Sequence, residues 1–166
     1  MKEFLNSREV KGLNSRLFAQ HGSDFGKYYF VVITGKEKLY LINKEIGKID
    51  LSKLRVDKYG LYVANENKIG LRLTIEGSEI IGKDATKNVV ELDTEQTNLW
   101  MLGEDIELNS EQLSKIEDRN VFQIVKHKSD FLSCGKLKKG DNNKENILLN
   151  FVPKERRVSA SFKSVE

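Results

Sequence analysis

At 166 residues, with 39% hydrophobic and 32% charged residues and a net charge of +3, the chain has enough apolar material for a packed core and is no disordered polymer. No apolar run approaches the ~20 residues needed to span a bilayer, and Met1-Lys-Glu-Phe-Leu-Asn6 lacks the apolar core of a signal peptide, so a soluble, cytoplasmic protein without a membrane partner is expected. The single cysteine, Cys134, excludes an internal disulfide, and His21 and His127 give it no zinc-ligand spacing, so no metal or other cofactor is expected.

Ser7 is placed to cap a helix that carries Val10, Leu13, Leu17 and Phe18 on one face, with Gly22 just past its end. Such a face needs a sheet to cover, and two β-rich runs come next. Tyr28-Tyr-Phe-Val-Val-Ile-Thr34 and Lys38-Leu-Tyr-Leu-Ile42 are separated by Gly35-Lys36-Glu37, which predicts a hairpin. Ile46, Ile49, Leu51 and Leu54 mark an irregular apolar segment before a strand at Gly60-Leu-Tyr-Val-Ala64.

Asn65-Glu-Asn-Lys68 is polar and turn-prone, and is the expected boundary between a small α+β domain (1–65) and a second domain (66–166). Leu71-Arg-Leu73 then reads as a strand leading into a short helix, with Thr74 as its cap and Gly82 as its stop. Asn88-Val-Val-Glu-Leu92 reads as a strand, and 94–102 as a helical turn carrying Leu99, Trp100 and Leu102 inward. One further helical turn at 110–116 precedes three strands at 121–126, 131–136 and 147–152, the last two joined by a long loop over 138–144. The fold class is therefore α+β, its second part a small, partly closed β pseudo-barrel. Pro153 comes directly after the last strand, where a missing N–H costs a sheet edge nothing.

Charge is unevenly placed. Residues 126–166 hold ten Lys/Arg against five Asp/Glu, while residues 1–125 hold eighteen against twenty. A cationic C-terminal third on a mildly acidic body suits a polyanion, although lysine-rich solvated surfaces also occur in heat-stable proteins. Trp100 reads as core because Leu99 and Leu102 flank it, and Cys134 as an inert buried thiol. Tyr28, Tyr29 and Tyr40 read first as strand-face packing, with base stacking as the alternative. His127 has only Asp130 as a nearby carboxylate, which points to a solvated loop or phosphate contact rather than acid–base work; Glu104-Asp105 reads as a turn. Gly-rich phosphate loops, metal clusters and triads are lacking, so an enzyme is not expected.

Four blocks carry a resemblance: Arg72-Leu-Thr-Ile-Glu-Gly-Ser-Glu-Ile-Ile-Gly82, Trp100-Met-Leu-Gly-Glu-Asp105, Ser133-Cys-Gly-Lys136 and Asn150-Phe-Val-Pro-Lys-Glu-Arg-Arg157. In this order the chain, over roughly 70–158, resembles the PUA-like RNA-binding domain. It is similar to small stand-alone archaeal relatives of the C-terminal tail of RsmF- or Fmu-type rRNA cytosine methyltransferases. Residues 1–65 more weakly resemble the small domain preceding PUA in a ribosome-biogenesis factor of archaea and eukaryotes. Those methyltransferases carry a cofactor-binding catalytic domain and two reactive cysteines ahead of the tail, and neither has a counterpart here, so their activity is not carried over.

The resemblance implies an RNA surface of Arg72, Gly77, Ser78 and Lys83 on one side and Lys136, Lys154, Arg156 and Arg157 on the other. Gly77 would let a phosphate strand approach the helix, or would serve packing. Arg72 is open to phosphate contact or to a surface ion pair with Glu76 or Glu79. The implied role is non-catalytic binding of structured rRNA or tRNA in ribosome biogenesis, rRNA processing or RNA modification. The alternative is an adaptor that docks a separate RNA-modifying methyltransferase or ribosome-assembly factor.

Overall fold

A computed structural model describes residues 2–26, 29–35, 37–56, 58–138 and 146–159. The first helix, α1 (Ser7–His21), is capped by Asn6 rather than Ser7. The Asn6 side chain accepts from the Arg8 and Glu9 amides, and Glu9 accepts from the Asn6 amide in return. Gly22 ends the helix at φ 71°, donating to the Phe18 carbonyl. Leu13 and Leu17 are buried, but Phe18 is 58% exposed, against expectation. It lies about 100° round the helix from Leu17, and the inward positions of the last turn go instead to Gln20 and His21.

Five antiparallel strands make the first sheet in sequence order: β1 (Lys2–Phe4), β2 (Tyr29–Thr34), β3 (Lys38–Asn43), β4 (Leu61–Asn67) and β5 (Gly70–Leu73). The segment between β3 and β4 forms two 3-10 turns, 44–48 and 51–53, which accounts for its irregular apolar pattern. Asn65-Glu-Asn-Lys68 lies at the β4–β5 hairpin, with Asn67 paired to Gly70. Strand pairing of this sheet thus crosses the expected 65/66 boundary.

Helix α2 (Ile75–Gly82) leads to β6 (Val89–Glu91), α3 (Thr94–Leu102), β7 (Ile106–Glu107), α4 (Ser110–Ser114), β8 (Gln123–His127), β9 (Asp130–Leu137) and β10 (Ile147–Asn150). The strands form a curled second sheet, a half-barrel in the order β6–β8–β9–β10–β7, in which β6–β8 is the one parallel pair. The fold is α+β, as the sequence predicts. Strands β1 and β7, of three residues and two, are too short to carry a period and were not expected from sequence.

Two apolar cores adjoin. Leu13, Leu17, Leu39, Leu71 and Ile81 pack with Ile124 of the second sheet in one, while Trp100, Ile106, Leu148 and Val152 fill the other. Trp100 is fully buried, as expected, but Leu99 beside it is 42% exposed. Tyr28 and most of the 138–144 loop lie outside the described residues, as does the side chain of Tyr29. Among the described residues no helix is long and apolar enough to cross a membrane.

A polar seam ties the end of α1 to β5 and to the loops before β6 and β8. The Gln20 Nε2 donates to the Leu71 carbonyl (3.1 Å), and the Asn88 Nδ2 donates to the Gln20 carbonyl (2.7 Å). Asn88, itself at φ 56°, accepts from the Glu117 and Asp118 amides. His21 sits inside this seam. Burial pushes its imidazole down from 6.5 to about 4, with a backbone contact at Lys87 opposing and the Lys87 charge assisting. The unfolded chain takes up a proton near pH 6.5 and the folded one only near pH 4. Stability should therefore be complete above pH 6.5 and fall by up to about 3 kcal/mol on acidification to pH 4. Urea midpoints measured across pH 4–7 check this, and the His21→Asn variant should lack that slope.

Candidate nucleic-acid interface

The site is built where β5 turns into α2. Thr74 makes the turn: its hydroxyl donates to the Tyr62 carbonyl (2.9 Å) and accepts from the Gly77 amide (3.0 Å), which caps the helix. The helix lies against β4 so closely that a Cβ on Gly77 would overlap the Val63 carbonyl, and a Cβ on Gly82 would overlap the Phe131 ring. Both glycines therefore serve contacts within the protein. Gly77 does not open the helix to a phosphate strand, and this part of the expected surface is corrected. Ser78 is also displaced from it, being fully buried.

Lys136 needs the same correction. It is 8% exposed, and its ammonium donates to the carbonyls of Arg119 (2.9 Å) and Leu137 (3.4 Å), pinning the 117–121 loop to β9. Burying an ammonium is tolerable only because carbonyls receive its protons. Lys83 is exposed at the far end of α2 and pairs with Glu79 (3.1 Å). With a rise of 1.5 Å per residue, that end lies about 10 Å from Glu76.

The remaining cations gather at the opposite end. The Arg156 guanidinium donates to Glu76 Oε1 (2.7 Å) in the first turn of α2. Partial burial works to raise the Glu76 carboxyl, but the hydrogen bond and charge of Arg156, with help from Thr74, hold it below the usual carboxylate range. Arg72 pairs with neither Glu76 nor Glu79. Its guanidinium carbon stands 5.3 Å over the Phe151 ring, and Phe151 meets buried Phe122 edge-on at 5.8 Å. Lys154 is exposed in the same 3-10 turn as Arg156 and has no ion-pair partner among the described residues. Arg157 turns away, its Nε donating to the Val152 carbonyl (3.0 Å) and its side chain lying against Gly103. Arg72, Lys154 and Arg156 are thus brought to the N-terminal end of α2, while Lys83 lies at the other end and Arg157 turns away.

Asn150 fixes the segment that carries them. Its amide donates to Asp105 (2.8 Å), its side-chain nitrogen to the carbonyls of Trp100 and Glu104, and its side-chain oxygen accepts from Val152. Glu104-Asp105 is therefore a structural turn, as read from the sequence. Phe151 and Asn150 are site residues that sequence reasoning misses, although both stand in the Asn150–Arg157 block. Neither is charged, and a search for phosphate ligands singles out cations and glycines.

The chemistry available is cationic and aromatic rather than nucleophilic. His127 Nδ1 lies 2.8 Å from the Leu92 carbonyl, which fixes the ring in the β8–β9 turn. Cys134 hydrogen-bonds the Leu73 carbonyl, and burial pushes its thiol up to about 12, so it is protonated and inert. Among the described residues no three His, Cys, Asp or Glu side chains are grouped to hold a metal ion.

Comparison with known proteins identifies the region. Residues 87–158 match the family described as the Methyltransferase RsmF PUA domain. The "Ribosomal RNA small subunit methyltransferase F" of Aeromonas salmonicida (strain A449) is 36% identical over 70 residues, covering 42% of this chain and 14% of that protein. Residues 87–158 are thus similar to the PUA domain of RsmF-type methyltransferases, consistent with a PUA-like domain in this chain. It spans only about 14% of the length of this relative, and the match does not reach the relative's catalytic domain.

If Gly77 is a packing glycine, Gly77→Ala should cost about 1–3 kcal/mol through steric overlap. A thermal midpoint unchanged from the parent would contradict that role.

Proposed function

We propose that this chain is a non-catalytic RNA-binding protein that engages structured rRNA or tRNA through the cationic end of α2. Its setting would be ribosome biogenesis or RNA modification in the cytoplasm. The observation that carries the reading is the convergence of Arg72, Lys154 and Arg156. All but Arg72 lie within the 87–158 match to a PUA domain of an rRNA methyltransferase. Arginine forks and an exposed lysine suit phosphate oxygens, and contacts of this kind recognise shape and backbone rather than sequence. In this reading residues 1–65 form the smaller unit and 66–166 the RNA-binding one, with the β4–β5 hairpin joining them.

Glu76 tempers the interaction. It occupies Arg156 in the free protein, so an arriving phosphate must displace a carboxylate. An ion pair this exposed is worth about 0–1 kcal/mol, which a phosphodiester bound by two or three cations outweighs.

Binding to an RNA hairpin should weaken steeply with salt, by about 0.9 in log K per log unit of salt for each phosphate neutralised. The Lys154→Ala/Arg156→Ala double variant should lower that slope by nearly two and leave the thermal midpoint almost unchanged. A double variant with the parent's affinity and slope contradicts this site. Glu76→Gln should tighten binding several-fold in the same titration, because it frees Arg156.

The adaptor reading draws on a different observation. Leu5, Val10 and exposed Phe18 line a groove of about 1010 Å³ along α1, with Lys11 and Lys44 among its other walls. Capture of an RNA-modifying enzyme from nuclease-treated lysate, lost on Phe18→Ser, would favour it over direct RNA binding.

A further inference from the structure

The face of the first sheet turned away from α1 reaches the cationic end of α2 only through Arg72, yet the rest of its residues form a pattern of their own. Leu39 and Leu41 of β3 point into the core, so Lys38 and Tyr40 point outward. Cross-strand register then sets their neighbours. Tyr40 stands opposite Tyr62, and Lys38 opposite Asn65, which in turn stands opposite Arg72. A bulge that makes Val63 the extra residue of β4 keeps both pairs on one face. The two tyrosine rings lie 5.3 Å apart at 35°, and the Lys38 ammonium stands 5.7 Å over Tyr62. Both tyrosines are partly exposed and Lys38 is exposed.

Three properties of this face select a ligand. It offers aromatic surface in a form accessible from solvent, whereas a ring needed only for packing would be buried like Trp100. Its charges are of one sign: Lys38 and Arg72 are the ionised groups on the outward positions of β3, β4 and β5 among the described residues. The nearest strand carboxylate, Glu66, is engaged by Arg16 of α1 on the opposite side. The face also runs into the cationic end of α2, because Arg72 ends the cross-strand row and itself stands over Phe151. Partly exposed rings flanked by cations are how sheets hold unpaired nucleotides: bases stack on the rings and the backbone follows the positive charge. A duplex, whose bases are already stacked, gains nothing from the rings.

We infer that the outer face of the first sheet is a second contact surface, which takes a single-stranded RNA segment continuous with the structured RNA held at α2. Tyr40 and Tyr62 stack unpaired bases, and Lys38 and Arg72 lead the strand from one surface to the other. This rests on the reading of the chain as an RNA binder and adds to it a preference for RNA with an unpaired flank.

The test uses the full chain and three fluorescein-labelled RNAs: a hairpin, the same hairpin with about six unpaired nucleotides, and a mixed-sequence single strand of about twelve. The flanked hairpin should bind about tenfold more tightly than the bare one. Tyr40→Leu and Tyr62→Leu should remove most of that advantage while leaving the bare hairpin unaffected, and Tyr40→Phe, which keeps the ring, should restore it. Should a leucine variant fail to fold, Lys38→Glu reads the same surface from an exposed position and should reduce the flank's advantage severalfold. Equal affinities for the two hairpins, or an advantage that survives Tyr40→Leu, Tyr62→Leu and Lys38→Glu alike, would overturn the inference. In that event loss of hairpin binding by the Lys154→Ala/Arg156→Ala variant would still uphold the first site. Failure of the parent to bind any of the three RNAs removes both readings.

Discussion

The close seating of α2 against β4 is the contact on which the arrangement depends. A helix can come this near a strand only where it has no side chain, and Gly77 supplies that absence at the Val63 carbonyl. Gly82 does the same at the Phe131 ring of β9. One eight-residue helix is thereby held against both sheets, and Ile81 and Ile124 complete a core drawn from each. Because α2 is fixed, its first turn presents Glu76 at a defined point, and the Asn150–Arg157 segment can be docked beside it. The glycines act on the candidate site at one remove. They place the helix, and the helix places the charge.

The cationic end of α2 is accordingly a partly neutralised surface rather than an open cradle. Arg156 is held by Glu76, Arg72 lies over Phe151, and Lys154 is exposed in the same turn as Arg156. Such an arrangement keeps the arginines in place at little cost in stability, since an exposed pair contributes about 0–1 kcal/mol. It also makes binding an exchange of one anion for another. In the proposed reading the cations supply the affinity and the protein's own carboxylate trims it by about 0–1 kcal/mol.

Much of the fold was legible because most elements announce themselves by period or punctuation. The Leu13–Leu17 part of the α1 stripe, the Gly22 stop, the Thr74 cap and the β2–β3 hairpin are local signals, and each falls where expected, while Phe18 does not. The misses have a common cause in long-range pairing. Strands β1 and β7 exist because a neighbouring strand receives them, and nothing in two or three residues encodes that. The inward turn of Gln20 is explained by partners fifty and more residues away. Within the site, residue type identified the cations but not their direction. Lys136 looks like any strand lysine until the Arg119 carbonyl is seen to receive it. Gly77 and Ser78 look permissive until Val63 is found beneath the helix. The relation to the RsmF PUA domain was legible, since it rests on collinear blocks rather than on any one residue.

Amide hydrogen exchange of the full chain, measured with and without a saturating RNA hairpin, tests the central claim most directly. The account predicts slowed exchange concentrated in residues 70–77 and 150–158, with the groove along α1 and the His127 turn unchanged. Protection at the α1 groove instead, with 70–77 and 150–158 exchanging as in the free protein, would contradict it.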